Sequence, residues 1–404
     1  MKVMVLNAGS SSIKYQIFDM RDSSVLTSGL LEQIGEASSR LKYKWTNGEG
    51  KTKEAVEEGC VADHSEGLKL ILDITLKLGV IHDLNELAGI GHRVVHGGEA
   101  FWKPTLIVDK VVDAVRGMIP LAPLHNPANL IGIEVSRQLC PAVPQVAVFD
   151  TAFHQTMPPH AYHYALPYNF YKELRVRRYG FHGTSHHYVA KQCAIYLGKP
   201  LSSCNLVTLH LGNGTSTAAI KDGESIDTSM GMTPLEGLVM GTRCGDLDPS
   251  IPFYLARSTG KSYDEIEKIL NKESGLKGIC GYNDMREVER LAAGGNAPAK
   301  LAIEMFCYRI KKYIGAYYAA IGSLDAIIFT GGIGENSNVI RKESCAGLQN
   351  LGIAIDEAKN HVRASKITDI SASSSKIKVI IVPTNEELEI AQQTVECIKT
   401  SEAK

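Results

Sequence analysis

Apolar residues fall along this chain in short runs separated by glycine-rich or polar turns. Lys2–Leu6 and Tyr15–Phe18 predict the strands of a hairpin around Asn7–Lys14. Leu206–Leu209 and Ala218–Ile220 predict a second hairpin of the same form around His210–Thr217. Leu41–Trp45 alternates apolar and polar and then turns at Asn47–Gly50, which predicts a more exposed hairpin. Ala88–Val95, Val146–Phe149, Ala326–Phe329 and Val379–Val382 read as buried strands. Helical spacing marks Ser65–Leu78 through Leu68, Ile71, Leu72 and Leu76. Further helices are predicted at Ser185–Leu197, at Pro298–Ile321, after an Asn126 cap with Pro127, and over Asp248–Ser258 with Asp248 as cap. A last helix covers Thr384–Ile398, where Thr384 and Glu387 fit a capping box. Strands and helices alternate in both halves, so the class is α/β.

A length of 404 residues suits two domains, and the stretch around Met157-Pro158-Pro159 is a plausible boundary. The formal net charge of −1 gives no pointer to nucleic acid or an acidic membrane surface. No apolar run approaches the roughly 20 residues that span a bilayer, and Met1–Leu6 is too short for a signal peptide. The nine cysteines are scattered with no C-x-x-C pair, which points to reduced thiols and a cytoplasmic location.

Three segments have phosphate-binding chemistry. Asn7–Lys14 contains Gly9, Ser10, Ser11 and Ser12, then a compact positive charge on Lys14. His210-Leu211-Gly212-Asn213-Gly214 opens the second such turn, and Thr330–Asn336 holds Gly331, Gly332 and Gly334 after a strand. Small residues let backbone N–H groups approach phosphate oxygens, and serine hydroxyls add donors. Each turn alone also reads as a polar loop. Two matching strand–turn–strand units about two hundred residues apart, plus the third loop, predict a duplicated nucleotide-binding fold.

Several motifs are set aside. Gly50-Lys51-Thr52 and Gly260-Lys261-Ser262 lack the upstream glycine of a P-loop. His92 and His96 have zinc-like spacing, but four residues of strand span ~13 Å, too far for one ion. His182 and His186 lack an H-E-x-x-H pattern. Arg93 lies in an apolar stretch and needs a partner, either a structural acid or a bound anion. Arg243, flanked by glycines, suits anion capture. Asp150 ends a buried strand, where α/β enzymes place chemistry, or serves as a cap. His182 sits in a glycine turn, His125 before the Asn-Pro helix start, and Glu386 in a first helical turn that favours acids.

With these motifs in view, the chain closely resembles the acetate kinase (acetokinase) family of the acetate and sugar kinase/Hsp70/actin superfamily. Matching segments are Asn7–Lys14, Gly91–Gly98, Pro120–Pro127, Phe149–Pro158, Arg178–His186, His210–Ser216, Asp227–Pro249, Phe329–Ser337 and Thr384–Leu388, so the likeness runs over essentially the whole chain. The resemblance implies a two-domain duplicated actin-like ATPase (ribonuclease H-like) fold with an interdomain active-site cleft. The N-terminal domain would be 1–151 plus 386–404, and 152–385 the nucleotide-binding domain through which a homodimer forms. The implied reaction is reversible transfer of the ATP γ-phosphoryl group to acetate, giving ADP and acetyl phosphate, with Mg2+ (or Mn2+) as cofactor. A propionate kinase shares the same fold and site, and a nucleotide-gated binding module is the reading of a different class.

By position, the resemblance implies Asn7 and Glu386 at the metal, and Arg93 on the acetate carboxylate. Val95, Leu124, Phe181 and Pro234 would surround its methyl group, with His125 beside the substrate. Ser10, Ser12, Lys14, His210, Leu211, Gly212, Asn213 and Gly214 would face the phosphates. Asp284, Met285, Arg286, Gly331, Gly332, Ile333, Gly334, Glu335 and Asn336 would hold the nucleoside end. Asp150, His182 and Arg243 would be catalytic. A carboxylate needs no strong base to attack phosphorus, so Asp150 is expected to orient Arg93 or the substrate rather than abstract a proton.

Overall fold

The computed structural model describes residues 1–46, 50–123, 125–361 and 365–402. The chain divides into two compact units, Met1–Phe153 with Asn385–Lys404, and His154–Thr384.

The first unit is built on an eight-stranded sheet. Its strands are β1 (Lys2–Gly9), β2 (Ser12–Asp19), β3 (Ser24–Glu32), β4 (Ser39–Thr46), β5 (Thr52–Gly59), β6 (Leu87–Val94), β7 (Thr105–Leu106) and β8 (Gln145–Phe149). Their order is β5-β4-β3-β2-β1-β6-β8-β7. β1 is apolar without alternation because both its faces are covered. Met4 and Leu6 pack with Ile13, Tyr15, Leu68, Ile71 and Leu72, the last three from the His64–Lys77 helix. Val3 and Val5 pack with Val146, Val148, Ile390 and Ala391 on the other face. The final helix, Glu386–Glu402, thus belongs to the first sheet although it is last in sequence. Gly91 allows this approach: a Cβ there would collide with Thr394 and Ile390 of that helix.

The second unit has six strands: β9 (Leu206–Leu211), β10 (Thr215–Lys221), β11 (Glu224–Thr228), β12 (Ala326–Thr330), β13 (Thr368–Asp369) and β14 (Lys378–Ile381). Their order is β11-β10-β9-β12-β14-β13. On one face the long Ala297–Ile321 helix lays Phe306, Ile310, Ile314 and Tyr317 against Val207, Leu209, Ile327 and Phe329. The Gly183–Leu197 helix packs on β9 and β12.

The duplication is visible in the pairing. β3-β2-β1-β6-β8 and β11-β10-β9-β12-β14 have one topology: two successive antiparallel pairings on one side of the first strand and two successive parallel pairings on the other. In both, the first hairpin turn lies at the carboxyl end of a central strand, where open α/β sheets bind ligands.

Three expected helix starts differ. The Asn126–Leu139 helix begins at Asn126 itself, with no side-chain cap. Asn126 instead accepts from His96 N and donates to His96 O, fixing the strand that follows Arg93. Asp248 accepts from Ser250 N in a turn, and the helix starts later, at Ile251. The last helix is capped by Asn385, whose Oδ1 accepts from Leu388 N, rather than by Thr384. The predicted turn at Asn47–Gly50 lies outside the described residues except for Gly50, but β4 and β5 pair as expected, with β5 mostly exposed.

Candidate active site

In the first unit the charged groups gather near the ends of β1, β6 and β8. Arg93, the penultimate residue of β6, donates from Nη2 to Asp150 Oδ2 at 2.7 Å and from Nε to both carboxylate oxygens at 3.1 and 3.3 Å. Asp150 follows β8 and is 2% exposed; its backbone N–H bonds to Val94 O. The pair is bidentate and mostly desolvated, and the adjacent carboxylate raises the Arg93 pKa further, so this arginine is permanently charged. Asn7 and Lys14 face each other across the β1–β2 pair. Lys14 forms an ion pair with Glu387, and the neighbouring Glu386 opens the last helix. Glu386 has its pKa pushed up to about 7, first by burial, with Arg93 and Lys14 opposing and Asp150 and Glu387 adding to the shift. Ser10 and Ser11 form the two-residue turn, and Ser12 stands beside Gly9 on β2. Val95 is buried, its N–H held by Asn129 Oδ1, while Asn129 Nδ2 reaches Ala8 O. His125 precedes the Asn126–Leu139 helix. Leu124 lies outside the described residues.

In the second unit the β9–β10 turn is three residues, Gly212-Asn213-Gly214, closed by Gly212 N–H to Gly214 O at 3.0 Å. His182 and Arg243 converge on it. A Cβ on Gly214 would lie 3.5 Å from Arg243 Nη1 and 3.6 Å from His182 Nε2. His182 caps the Gly183–Leu197 helix with φ of 57°, a left-handed conformation that costs a non-glycine residue energy. Its Nδ1 bonds to Ser216 Oγ at 2.9 Å, and its ring stacks on His210 at 4.3 Å. Arg243 donates to Pro234 O at 3.2 Å, and burial lowers its pKa. Phe181 is buried, and its carbonyl accepts from His154.

The Gly331–Gly334 segment is the start of a short helix, Gly331–Asn336, directly after β12. Gly331 has φ of +76° and sits against the Leu211 backbone, so only glycine suits the position. Glu335 turns back on this loop: its Oε1 accepts from Gly331 N and Thr384 N at 3.0 and 3.1 Å. Asn336 donates to Gly332 O. Ile333 is half-buried, and Leu211 and Met285 are core residues. Asp284 caps the Met285–Ala293 helix and pairs with the exposed Arg286 at 2.6 Å.

The zinc-like histidines have other partners. His92 bonds to Gln145 at 2.8 Å and His186 to Thr208 and Ser216 at 2.7 and 2.8 Å. The His96 Nδ1 accepts from Gly98 N.

A sequence model described as the Acetokinase family matches residues 2–392. The chain belongs to the acetokinase family. An acetate kinase of Syntrophobacter fumaroxidans is 55% identical over 99% of this chain and 97% of that protein. An acetate kinase of Helicobacter acinonychis is 54% identical over 98% of each. Among solved structures, Porphyromonas gingivalis acetate kinase superposes with a TM-score of 0.93 at 45% identity, covering 98% of this chain and 99% of that one. A propionate kinase from Francisella tularensis gives 0.91, also at 45% identity, with the same coverage. Membership of this family of kinases carries the duplicated actin-like ATPase fold, with ATP and acetate as its substrates.

The residues that support this candidate site had weak signals in sequence. Asn126 read as a helix cap, and Ser216 lay unremarked within the predicted turn His210–Thr217. The available clue was polarity in otherwise buried elements: Asn126, Asn129, Thr208, Ser216 and His186 are all 3% exposed or less, and buried polar groups require partners.

Proposed function

We propose that this acetokinase family member transfers the γ-phosphoryl group of ATP to acetate, reversibly, by direct in-line displacement. The observation that carries the reading is the Arg93–Asp150 pair. It is a partly buried, fork-to-fork contact that engages Nε and Nη2 of the guanidinium and fixes the arginine so that it can donate to a second carboxylate, that of the substrate. Asp150 acts by holding Arg93 in place, and as a carboxylate already locked to a cation it is poorly suited to removing protons.

The acetate carboxylate is its own nucleophile, so the work of catalysis is to bring two anions together and align them. Arg93 binds the carboxylate, with Val95, Leu124, Phe181 and Pro234 around the methyl group and His125 beside the substrate. Gly212, Asn213 and Gly214 offer backbone N–H groups to the phosphates, with His210, Ser10, Ser12 and Lys14 as further donors. Arg243 and His182, both beside Gly214, stabilise the charge on the phosphoryl group in flight. Gly331–Asn336 and Asp284–Arg286 hold the nucleoside end.

Asn7 and Glu386 fit a magnesium ion. Both offer hard oxygen donors, and a carboxylate with its pKa pushed up to about 7 gains from a nearby cation. Among the described residues no cluster of three or more acidic, cysteine or histidine side chains forms a closed cage. Magnesium uses one or two protein ligands plus water and phosphate oxygens. When bound, the ion supplies charge neutralisation between the phosphates. The protein works in the cytoplasm as a homodimer through its second unit in this reading.

The propionate kinase neighbour makes chain length of the acid the open variable. One methylene is worth about 1–3 kcal/mol in an apolar pocket. The test is hydroxamate trapping of acyl phosphate with ATP and Mg2+ across acetate, propionate and butyrate. The highest kcat/KM is expected for acetate; a maximum at propionate replaces the acceptor, and ATP hydrolysis with no acyl phosphate sinks the kinase reading.

A further inference from the structure

One face of the second sheet carries a largely buried polar cluster. Thr208 and His210 on β9 and Ser216 on β10 point toward the Gly183–Leu197 helix, where Ser185 and His186 meet them. Thr208, Ser216 and His186 are each 0% exposed. The contacts form a chain: Thr208 Oγ1 to His186 Nδ1 at 2.7 Å, His186 Nε2 to Ser216 Oγ at 2.8 Å, and Ser216 Oγ to His182 Nδ1 at 2.9 Å. Phosphoryl transfer makes no direct use of its first three members. A buried polar chain of this kind is costly unless every member is satisfied, and once satisfied it is rigid.

We infer that Thr208, His186 and Ser216 are positioning residues that hold the His182 ring with a proton on Nε2, directed at the phosphoryl group. The inference rests on the acetate kinase reading above and names how its histidine is kept in register. A serine hydroxyl has one hydrogen, so Ser216, lying between two imidazole nitrogens, donates to one and accepts from the other. Burial drives the His186 pKa well below its usual value, so His186 is neutral and carries a single N–H. With His182 neutral the hydroxyl can face either ring, and the orientation that suits an anionic phosphoryl group is the one in which His186 Nε2–H donates to Ser216 and Ser216 donates to His182 Nδ1: it leaves the His182 proton on Nε2, whereas the reverse would turn an Nε2 lone pair toward that anion. With His182 charged, the hydroxyl turns: it accepts from Nδ1–H and donates to His186 Nε2, whose remaining proton moves to Nδ1 and bonds Thr208. In both states Nε2–H faces the Gly214 turn, near Arg243. The left-handed backbone at His182 has the same sense, since strain held at one residue marks a side chain whose direction matters. His186 lies one helical turn beyond His182, with His186 N–H bonded to His182 O, so backbone and ring are tied to one frame.

The test uses the full chain labelled with 15N-histidine, with the His182 signals assigned by their loss in His182→Asn. Long-range proton–nitrogen spectra of the wild type should show neutral His182 as the Nε2–H tautomer, and Ser216→Ala should shift it toward a mixture. In the acyl-phosphate assay Ser216→Ala should lower kcat about tenfold to a hundredfold, the effect of losing one hydrogen bond to a charged group. KM for ATP and acetate should stay within about twofold. His186→Gln keeps an amide at the Nε2 position and should retain most of kcat, whereas His186→Leu should match Ser216→Ala. An Nδ1–H tautomer in the wild type overturns the inference. So does a Ser216→Ala enzyme with unchanged kcat and spectrum, or a His186→Gln variant as impaired as His186→Leu. If His186→Leu does not fold, Ser216→Ala, which removes a single oxygen, decides. A wild type that forms no acyl phosphate defeats the activity reading instead, and the tautomer measurement still judges the relay.

Discussion

The two hairpin turns stand at equivalent places in sheets of the same topology, yet their surroundings differ in kind. The β1–β2 turn is two residues of serine, with acids and bases around it: Arg93 with Asp150, Lys14 with Glu387, and Glu386. The β9–β10 turn is three residues of glycine and asparagine, backed by imidazoles and hydroxyls: His182, His186 and His210 with Ser185, Ser216 and Thr208. Arg243 brings a permanent charge directly against it. A duplicated sheet thus keeps its pairing while each copy specialises. The first copy holds a carboxylate and a cation, which calls for fixed charges. The second wraps phosphate, which calls for close backbone approach and hydrogen-bond donors that do not repel one another.

Arginine replacement separates the two copies most sharply. Arg243→Ala should lower kcat by about a thousandfold with a small change in acetate KM, since its charge matters most in the transition state. Arg93→Ala should instead raise acetate KM by roughly tenfold to a hundredfold. It should also cost about 3 kcal/mol of stability, because Asp150 is left buried without its cation. Steady-state kinetics with the reverse pattern would exchange the two roles, and chemical unfolding that finds no stability loss would mean that the ion pair adds nothing net to the fold.

Acid sensitivity offers a comparison at the level of stability. Burial pushes His92 and His96 down to about 4, against about 6.5 in an unfolded chain. Between those values the unfolded state binds more protons, so stability is full above about pH 6.5 and is lost as pH falls toward 4. Each histidine accounts for roughly 3 kcal/mol over that window. His92→Gln, placed beside Gln145, should flatten the fall in Tm between pH 6.5 and 4; an unchanged slope would assign the acid loss to other groups.

The smallest effect concerns the join of the last helix. Asn385→Ala should cost about 1 kcal/mol through the lost cap on Leu388 N. Thr384→Ala should leave the cap intact and instead disturb the bond to Ser185 Oγ at 2.9 Å. Equal Tm losses with equal effects on ATP KM would erase the distinction between helix cap and loop contact.

What could be read in the sequence follows from local physics. Strands, helices and the three small-residue turns appear because hydrophobic period, glycine freedom and chain direction are properties of neighbouring residues. The family likeness then supplied the chemistry expected of Arg93, Asp150, His182 and Arg243. The helix starts at Asn126, Asp248 and Thr384 were misplaced for one shared reason. Asparagine, aspartate and threonine can cap a helix or bond elsewhere, and the choice depends on what the fold brings near.

Local pattern determined that this chain makes two α/β sheets with small-residue turns at their central strands. Tertiary structure alone decided which polar groups meet. Arg93 finds Asp150 57 positions away, Ser185 finds Thr384 199 positions away, and the final helix returns to cover β1 and β6. Those choices belong to the fold because a buried donor takes whichever acceptor the packing sets within 3 Å, and chain separation has no say in that.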